Sequence, residues 1–567
     1  MAHLLCPLPT IPGAEEAPAI PDMSFSPENT TAAAVGVDGG KAEYKPPESI
    51  LIIGAGVFGL STALTLTQHP SIPPHTPITV IDRSPTPGVF PAPDAASVDA
   101  SRIIRADYAD AAYSKLAGEA QARWRLNAHD PASLGGGGRY AESGLLLAAD
   151  DPDGDGATAR PDGHPTGLGY AKRSWVNALA LAHLEGRPLA SVRLLPMPYA
   201  VARASCTGAE AGEGEWADWG YLNTAAGWAD AEGSMRWLYE RVVETGRVVF
   251  VNGTVEALET TTTGDGQQQQ QQQQQKQRVT GARLTTGAVL TADLTIVAAG
   301  AWTPSLIDLA DQAVATGQCL AYIQLTNEEQ ARLADMPVCL NLTDGCFAIP
   351  PRNNILKIAR HAYGYLNPQP PSHPPLAASQ SASAPSPPNP VSQPRTHLTD
   401  PSLPLPSEGA ADLRRALRRM FGPALAERPF LKTRLCWYTD TATGDWLIDY
   451  HPAYANLFVA TGGSGHAFKF LPILGDKVVD CLLGRCPREF REKWKWKGRA
   501  AVGANATAVA AGGEKGARGG SGSTLGNEGT SVIDGLSIEL CIATEDGSRG
   551  GKPGLILQDE MAKSRRS

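Results

Sequence analysis

Three glycines at a fixed spacing are the first residues of this chain that indicate a particular chemistry. Gly54, Gly56 and Gly59 form a Gly-x-Gly-x-x-Gly motif between the apolar run Ile50–Ile53 and a stretch typical of a helix. In such a motif the first glycine permits a tight turn, the second lets the backbone approach a pyrophosphate, and the third lets helix and strand pack closely. Asp82 ends the next apolar run, where its carboxylate could accept hydrogen bonds from ribose hydroxyls. The acid disfavours NADP, so the motif predicts a site for NAD or FAD.

Two arginines follow the glycine motif. Arg102 and Arg105 are three residues apart, which predicts that both guanidiniums lie on one side of a helical turn. A guanidinium can bind both oxygens of a carboxylate through its planar fork. The alternative for either arginine is a pairing with a nearby acid of the chain, such as Asp107 or Asp110.

A second glycine-rich turn lies late in the chain. Residues 461–466, Thr-Gly-Gly-Ser-Gly-His, precede a predicted helix from about Phe468 to Leu483. The N-terminus of a helix stabilises negative charge. Lys469 lies one turn into this helix among apolar neighbours, where it is either a functional cation or a solvated helix lysine.

The elements that must position these residues alternate between strands and helices. Apolar runs predict further buried strands at 144–147, 247–251, 294–300 and 456–460, and a helix at 233–244. A nicotinamide dehydrogenase would complete one dinucleotide-binding unit before its catalytic domain. Here strands of the dinucleotide-binding type return three times, which favours a large FAD-binding domain that is threaded by a substrate domain.

The composition excludes several classes of protein. The chain has 567 residues, a net charge of −9 and no basic stripe of the kind that binds nucleic acid. No apolar run approaches the roughly 20 residues that cross a bilayer, and the N-terminus lacks the pattern of a secretory signal. Nine cysteines without regular spacing predict reduced thiols, and no metal site is expected. We expect a cytoplasmic protein with no membrane or nucleic-acid partner, and a monomer because coiled-coil heptads are absent.

Five blocks of sequence occur in an order that resembles the FAD-dependent amine oxidases of the D-amino-acid oxidase superfamily. Within it, the chain resembles the group of monomeric sarcosine oxidase, fructosyl amino acid oxidase (amadoriase), and fungal saccharopine and pipecolate oxidase. The blocks are GAGVFGLSTAL (54–64), ASVDASRIIRADY (96–108), DLTIVAAGAW (293–302), NILKIARHAYGY (354–365) and ATGGSGHAFKFLPILG (460–475). The resemblance implies a mixed α/β (α+β) fold, in which a Rossmann-like FAD-binding domain of glutathione-reductase type is interleaved with an antiparallel-sheet substrate domain.

The resemblance and the composition together divide the chain. Residues 48–130, 218–305 and 446–490 are assigned to the FAD-binding domain, and residues 131–217 and 306–445 to the substrate domain. Low-complexity composition predicts a disordered leader at 1–47, a glutamine tract at 267–275 on a solvent-facing hairpin, a disordered insertion at 367–406 and a largely disordered tail at 491–567.

The resemblance also implies a role for individual residues. Arg105, Lys469 and His361 would be catalytic, and Arg105, Tyr365, Lys469 and Lys497 would bind the substrate, with its carboxylate between Arg105 and Lys469. A structural histidine is the alternative for His361. The implied cofactor-binding residues are Gly54, Gly56, Val57, Phe58, Gly59, Asp82, Arg83, Ser101, Arg102, Val255, Ala299, Gly300, Trp302, Gly463, Ser464, Gly465, His466 and Lys469.

The chain departs from this group in three places. Many relatives attach FAD through a cysteine in the block at 354–365, which contains none here, and Cys346 is more typical of a buried small hydrophobe. We therefore expect FAD to be bound non-covalently, or else attached through another residue. Relatives also carry a lysine soon after the Gly-Ala-Trp segment that promotes the reaction with oxygen, whereas residues 303–353 contain no lysine. Finally, lysines at 493–497 replace the arginines of amadoriases, which weakens the case for a fructosyl-amine pocket.

The predicted reaction is oxidation of the C–N bond of a secondary amine or N-substituted amino acid, of the saccharopine, pipecolate, sarcosine or fructosyl amino acid type. A hydride would pass to flavin N5, and O2 would be the acceptor, giving H2O2. The alternatives are a biosynthetic flavoenzyme that acts on an amine in a specialised metabolite, a flavin-binding protein without turnover, and an NAD dehydrogenase.

Overall fold

The computed structural model describes residues 45–151, 153–207, 216–261, 277–309, 312–377, 390–497 and 545–565, and the backbone of two short strands between 530 and 539. The predicted leader up to residue 44 and the glutamine tract lie outside these residues, so the expectations for them stay predictions. The helices are Val57–Gln68, Ala111–Arg125, Gly167–Leu184, Pro198–Ala204, Ala231–Glu244, Thr303–Leu306, Asn327–Arg332, Ser407–Phe421, Pro423–Glu427, Leu471–Leu482, Arg491–Trp494 and Leu557–Ser564. None of these described helices is both long and apolar enough to cross a membrane.

A six-stranded sheet carries the glycine motif. Its strand Ile50–Ile53 is buried along its whole length between two parallel neighbours, as its continuous apolar run predicts. The helix Val57–Gln68 starts directly after the glycine turn and packs against the helix Leu471–Leu482. In spatial order the strands are Leu447–Tyr450, Leu457–Thr461, Leu294–Val297, Ile50–Ile53, Ile78–Asp82 and Val248–Asn252, and the first runs antiparallel to its neighbour while the others run parallel. The predicted Rossmann-like unit is confirmed.

A ten-stranded, largely antiparallel sheet forms the second body of the fold. Its two longest strands, Ala313–Gln324 and Lys432–Thr441, pair along ten residues from Ala313 opposite Thr441 to Tyr322 opposite Lys432. In spatial order the other strands are Leu555–Ile556 and Tyr365–Leu366 on one side of Ala313–Gln324, and Ile355–Arg360, Cys346–Arg352, Val338–Asn341, Leu145–Ala149, Trp219–Asn223 and Val192–Leu195 on the other. The predicted antiparallel-sheet body is therefore present.

The described residues also form smaller sheets. Arg102–Ile104, Gly227–Ala229 and Tyr140–Ala141 form a three-stranded sheet. Val255–Thr261 and Gln277–Leu284, which flank the glutamine tract, pair antiparallel with each other, as a hairpin requires. Val289–Thr291 continues this sheet, and Tyr454–Ala455 pairs with Gln277–Leu284.

Two segments that we predicted to be disordered contain ordered elements, so the prediction is wrong for their described parts. Within residues 367–406, Pro368–Gln369 pairs with Val391–Ser392. In the tail, Leu555–Ile556 joins the edge of the ten-stranded sheet, and the helix Leu557–Ser564 follows with Leu557 fully buried. A segment of low average hydrophobicity can still dock, because a few apolar side chains on an existing surface offset the entropy of ordering it.

The strand Trp219–Asn223 is a further correction. We assigned residues 218–305 to the FAD-binding domain, yet this strand pairs with Leu145–Ala149 in the ten-stranded sheet. An apolar run predicts a strand, but it does not say which sheet the strand joins, because that choice depends on long-range packing.

Candidate cofactor and substrate site

The carboxyl ends of the parallel strands open into one long cavity, which we name the strand-end cavity. Ligands of open α/β sheets bind at this edge, where the strand order reverses, and here the reversal falls between Ile50–Ile53 and Leu294–Val297. Its walls include most of the residues that we predicted to contact the cofactor: Gly54, Gly56, Val57, Phe58, Asp82, Arg83, Arg102, Val255, Ala299, Gly300, Trp302, Gly463, Ser464, Gly465 and His466.

The three glycines of the motif lie where their spacing predicts. Gly54 has a φ of +105°, and a Cβ there would lie 2.4 Å from the carbonyl oxygen of Ala298. A Cβ on Gly59 would lie 1.8 Å from the carbonyl oxygen of Gly54, so helix and turn are in direct backbone contact. At Gly56 the nearest atom to a Cβ would be the Ser97 hydroxyl oxygen at 3.4 Å. The Gly56 backbone is therefore open to the cavity at the start of the helix, where a pyrophosphate binds.

Asp82 lies at the end of its strand and fixes the turn. Its carboxylate accepts hydrogen bonds from the backbone N–H of Ala55 at 3.0 Å and of Arg83 at 2.7 Å. Burial raises the pKa of this carboxyl, and the two N–H groups oppose the rise. The Arg83 guanidinium lies 3.7 Å from the ring centroid of Trp302 and forms an ion pair with Asp94 at 3.0 Å. A carboxylate with free lone pairs and a stacked pair of side chains thus line the cavity.

A second cavity, which we name the sheet-side cavity, adjoins the first. The two cavities share Arg102, Tyr438, Gly465, His466 and Phe468. The sheet-side cavity is further lined by Ile103, Arg105, Gln318, Cys319, Leu320, Leu340, Phe347, Lys357, Ala359, Arg360, His361, Cys436 and Lys469. Cations outnumber carboxylates on its walls, so it suits an anionic ligand.

The segment that carries Arg102 is a strand, and our prediction of a helical turn is wrong. Arg102–Ile104 pairs antiparallel with Gly227–Ala229, and its two β-branched isoleucines favour the extended backbone. Arg102 forms an ion pair with the buried carboxylate of Asp99, which also accepts a hydrogen bond from Lys357 Nζ at 2.7 Å. Pairing with an acid of the chain is therefore what Arg102 does, although that acid is not one of the two that we considered.

Arg105 has a different environment. Its side chain is buried, its guanidinium lies 4.9 Å from the ring centroid of Tyr108, and Nη1 has no hydrogen-bond partner in the described part of the chain. Asp107, the acid we considered as its partner, accepts hydrogen bonds from Tyr221 at 2.9 Å and from Asn223 at 3.0 Å. A buried guanidinium without a counter-ion is costly unless a ligand supplies one. This environment fits a guanidinium whose counter-ion is the carboxylate of a ligand.

Lys469 lies beside the same tyrosine ring. Its Nζ donates to the Tyr108 hydroxyl at 2.8 Å and to the carbonyl oxygen of His466 at 3.0 Å. Lys469 is buried rather than solvated, and this burial, reinforced by the charge of Arg105, lowers the pKa of its ammonium well below the usual value. An ammonium has three donors, so one remains for a ligand.

A chain of hydrogen bonds fixes the protonation of His466. Its Nε2 lies 2.9 Å from the carbonyl oxygen of Gly444, which can only accept, and its Nδ1 lies 3.1 Å from the Tyr108 hydroxyl. The proton therefore sits on Nε2, and Nδ1 accepts from Tyr108, whose oxygen in turn accepts from Lys469. Burial, reinforced by Lys469, lowers the pKa of His466 well below the usual value, so the ring is neutral.

Comparison with known proteins identifies the family. Residues 49–481 match the family of FAD dependent oxidoreductases (DAO). The chain belongs to this family. The amino acid oxidase imqH of Aspergillus flavus is 32% identical over 496 residues, which are 80% of this chain and 98% of that protein. The L-saccharopine oxidase of Schizosaccharomyces pombe is 29% identical over 451 residues, 79% of this chain and 93% of that protein. The structure of fructosyl amine:oxygen oxidoreductase (amadoriase I) from Aspergillus fumigatus is similar with a TM-score of 0.60 at 26% identity, covering 82% of this chain and 92% of that one.

The cofactor of this FAD-dependent oxidoreductase is FAD, and the residues of the strand-end cavity fit it. The open backbone at Gly56 suits the pyrophosphate and the carboxylate of Asp82 suits a ribose. At the junction of the two cavities, Gly465 has a φ of +71°, and a Cβ there would lie 2.4 Å from Tyr438 Cε2 and 2.9 Å from His361 Cε1. Glycine is required at this position because the backbone of the turn lies in direct contact with two aromatic side chains.

Three residues that we predicted at the site lie elsewhere. Tyr365 lines neither cavity: it is fully buried, and its hydroxyl contacts Arg360 at 3.2 Å and Glu408. Ser101 lines neither cavity, and its carbonyl oxygen accepts from Lys357 at 2.8 Å. Lys497 lies outside both cavities and donates from Nζ to the Thr443 hydroxyl at 3.1 Å. Spacing alone does not say which face of a strand or loop turns towards a cavity, so the roles of these three residues stay predictions.

His361 lines the sheet-side cavity. Burial, reinforced by the charges of Arg549 and Arg105, lowers the pKa of its ring well below the usual value, so His361 is neutral. A neutral imidazole can accept or donate a hydrogen bond but adds no charge to a site already rich in cations.

Sequence reasoning missed many residues of the sheet-side cavity, and four of them are polar residues on two pairs of neighbouring strands. Gln318 and Cys436 lie opposite each other on paired strands, Tyr438 is two residues further along, and Lys357 comes from the neighbouring strand. The alternation of side chains along Lys432–Thr441 was the available signal, because residues two apart share a face of a strand. Cys436 matters most, since we considered only Cys346, which is fully buried and lines neither cavity.

Proposed function

We propose that the protein oxidises the C–N bond of a secondary amine or N-substituted amino acid at the junction of the two cavities. The observation that carries this proposal is the pair of buried cations, Arg105 and Lys469, which lie 4.9 Å and 5.1 Å from the centroid of the same Tyr108 ring on the sheet-side cavity. A carboxylate would satisfy the free Nη1 of Arg105 and the remaining donor of Lys469. The names of the relatives, a saccharopine oxidase and a fructosyl amine oxidoreductase, support an N-substituted substrate.

The chain's own residues would orient the substrate. When FAD is bound in the strand-end cavity, it supplies at N5 a two-electron acceptor for a hydride from the carbon next to the substrate nitrogen. With the carboxylate held by Arg105 and Lys469, that carbon would point towards the turn Gly463–His466. The neutral His361 would contact the substrate nitrogen without opposing its loss of a proton. Catalysis of this kind rests on positioning more than on acid–base chemistry.

We also propose O2 as the acceptor that regenerates the cofactor, with H2O2 as the product. A cation near the flavin promotes this reaction because it stabilises the developing negative charge on oxygen. The stretch 303–353 lacks a lysine, but Lys357 lies on the sheet-side cavity, where its Nζ contacts Asp99 at 2.7 Å and the carbonyl oxygen of Ser101 at 2.8 Å. Lys357 and Arg102 share the single carboxylate of Asp99, so this cluster keeps a net positive charge.

The proposed function is tested by mixing purified, yellow protein with a panel of amines under anaerobic conditions. The panel contains sarcosine, L-pipecolate, saccharopine, N-methyl-L-tryptophan and a fructosyl amino acid. Bleaching of the visible flavin band by one of them, followed by peroxide on admission of air, is the expected result. Full flavin content with no bleaching by any compound would contradict the proposal and favour a flavin-binding protein without turnover.

We expect a cytoplasmic monomer, and light scattering of the pure protein tests the oligomeric state.

A further inference from the structure

The C-terminal segment 545–565 brings a buried arginine to the turn that faces the cofactor. The side chain of Arg549 is 2% exposed. Its Nη2 donates to Asp440 Oδ1 at 2.8 Å and to the carbonyl oxygen of Ser464 at 3.0 Å, and its Nη1 donates to the carbonyl oxygen of Ala362 at 3.2 Å. Residue 549 lies 68 positions beyond residue 481, where the match to the family ends.

The backbone beside Arg549 docks specifically. The N–H of Gly550 donates to the carbonyl oxygen of His361 at 3.0 Å, and its carbonyl oxygen accepts from the N–H of Tyr363 at 3.2 Å. A Cβ on Gly550 would lie 2.0 Å from the carbonyl oxygen of Asp344, so only glycine lets the segment pass this close. The position of Arg549 is therefore set by backbone contacts on both sides of Ala362, the residue that follows the sheet-side cavity's histidine.

The turn at Ser464 needs such an anchor. Ser464 has a φ of +46°, a conformation that a residue other than glycine keeps only when its surroundings hold it. Its N–H donates to the carbonyl oxygen of Thr439 at 3.0 Å, and its hydroxyl donates to the carbonyl oxygen of Gly462 at 3.0 Å. Arg549 holds the third group of this residue, the carbonyl oxygen. Ser464 and Gly465 both line the strand-end cavity, so the same turn that Arg549 holds faces the cofactor.

Asp440 explains why the anchor is an arginine. Its side chain is fully buried, and its carboxylate accepts from the Thr316 hydroxyl at 2.5 Å as well as from Arg549. Arg549 is the cation that balances this buried carboxylate. A buried carboxylate that loses its cation is strongly destabilising. A guanidinium, unlike an ammonium, can serve the carboxylate and two carbonyl oxygens at once.

We propose that Arg549 is a positioning residue, which links Asp440 to Ser464 and holds the turn 462–466 in the shape that binds FAD. The C-terminal segment is then part of the active site. In addition, Asp546, Ser548 and Arg549 form one wall of an outer cavity that continues from the sheet-side cavity at Arg105, His361 and His466. The inference rests on the proposed function only in taking this turn as the one that faces FAD.

Three variants separate positioning from simple stabilisation: Arg549→Met, Arg549→Lys, and the double variant Arg549→Met with Asp440→Asn. The control is Lys563→Met, which removes an exposed cation of the same C-terminal segment. The measurements are the thermal midpoint of the FAD-free protein, the dissociation constant for FAD from flavin fluorescence, and the visible spectrum of bound FAD. All are made in a Cys436→Ser background, so that a covalent bond cannot mask weak binding.

We expect Arg549→Met to lower the thermal midpoint and to weaken FAD binding at least tenfold. The double variant should recover most of the thermal midpoint, because no buried charge is left unpaired. It should still bind FAD at least tenfold more weakly and show a shifted visible spectrum, because Ser464 has lost its donor. Arg549→Lys should recover binding in part, and Lys563→Met should match the parent.

The proposal is overturned if the double variant recovers FAD affinity and spectrum together with its thermal midpoint, because Arg549 would then only balance Asp440. None of these measurements uses a substrate. Failure of the proposed amine oxidation and failure of this inference are therefore distinguishable.

Discussion

Replacing Arg105 with methionine tests the proposed carboxylate site most directly. Arg105 is buried, and its Nη1 has no hydrogen-bond partner in the part of the chain that the structure describes. Each hydrogen bond to a charged group is worth about 1.5 to 3 kcal/mol, so a two-pronged contact with a carboxylate contributes about 3 to 6 kcal/mol. Lys469 remains in the variant and still binds the carboxylate, so we expect a loss of about 3 to 4 kcal/mol of binding free energy. At about 1.4 kcal/mol per decade, binding should weaken roughly 100- to 1,000-fold.

The assay is anaerobic reduction of the flavin by the best amine of the panel, followed in a stopped-flow instrument. It gives the substrate dissociation constant and the limiting rate of reduction separately. The matched ligand control is the methyl ester of the same amine, which has no carboxylate. Arg105→Lys keeps the charge but not the planar fork, so its dissociation constant should fall between those of the parent and Arg105→Met.

Stability provides the second control. The methionine variant removes a buried charge, and Asp107 loses the attraction of Arg105 but keeps its hydrogen bonds from Tyr221 and Asn223. We therefore expect the free energy of unfolding to change little, because the removed desolvation cost of the guanidinium and the lost attraction to Asp107 oppose each other. The reasoning is refuted if Arg105→Met weakens the ester and the free acid by the same factor, because the loss would then not involve a carboxylate.

Four further changes have definite expected outcomes. Burial lowers the pKa of Lys469, and only the ammonium form binds an anion, so the affinity of a simple carboxylate such as benzoate should fall as the pH rises through that pKa. The variant Lys469→Met should bind benzoate weakly at every pH. A parent affinity that stays constant up to pH 10 would contradict this prediction. Gly465→Ala would place a Cβ 2.4 Å from a tyrosine ring at a φ of +71°, so we expect the free energy of unfolding in urea to fall by about 2 kcal/mol or more and the FAD content to fall as well. The control Gly463→Ala should be milder, because the nearest atom to its Cβ would be 3.3 Å away. Equal losses in the two variants would be evidence against the clash. Asp82→Ala should weaken FAD binding by about 10- to 100-fold in a fluorescence titration, because a charged acceptor for the ribose is lost, and unchanged affinity would refute that role. After acid precipitation of the parent, we expect flavin in the supernatant. Flavin in the pellet would show a covalent bond to the protein. Release of that flavin in Cys436→Ser would then identify Cys436, which lines the sheet-side cavity, as the point of attachment.

The predictions that rested on local spacing were confirmed where the required geometry is also local. Gly54, Gly56 and Gly59 lie within one strand–turn–helix connection, and Asp82 ends the adjacent strand, in register with Ile50–Ile53. A tight turn, a close helix–strand contact and an acid at a strand end are properties of about thirty residues. Their sequence is therefore sufficient to predict their structure.

Predictions that needed the face of a strand or the partner of a charge were less secure. The spacing of Arg102 and Arg105 predicted a helical turn, but pairing with Gly227–Ala229 imposes a strand, and in a strand these side chains have separate surroundings. Tyr365 is the last residue of the block 354–365, yet its side chain lies in the core beside Glu408. Arg102 pairs with an acid three residues away and Arg549 with one 109 positions away, so local spacing does not choose the acid.

The sequence by itself predicted a dinucleotide site, and its resemblance to a known family predicted that the dinucleotide is FAD and that Arg105 and Lys469 belong to one site. Only the tertiary structure decided that Nη1 of Arg105 has no hydrogen-bond partner among the described residues, that Cys436 reaches the cavity, and that Arg549 holds Ser464 from the C-terminal segment. The physical reason is the range of the interactions. Backbone turns and periodic apolar runs are fixed by neighbours in the chain, whereas burial, charge balance and the walls of a cavity are fixed by neighbours in space.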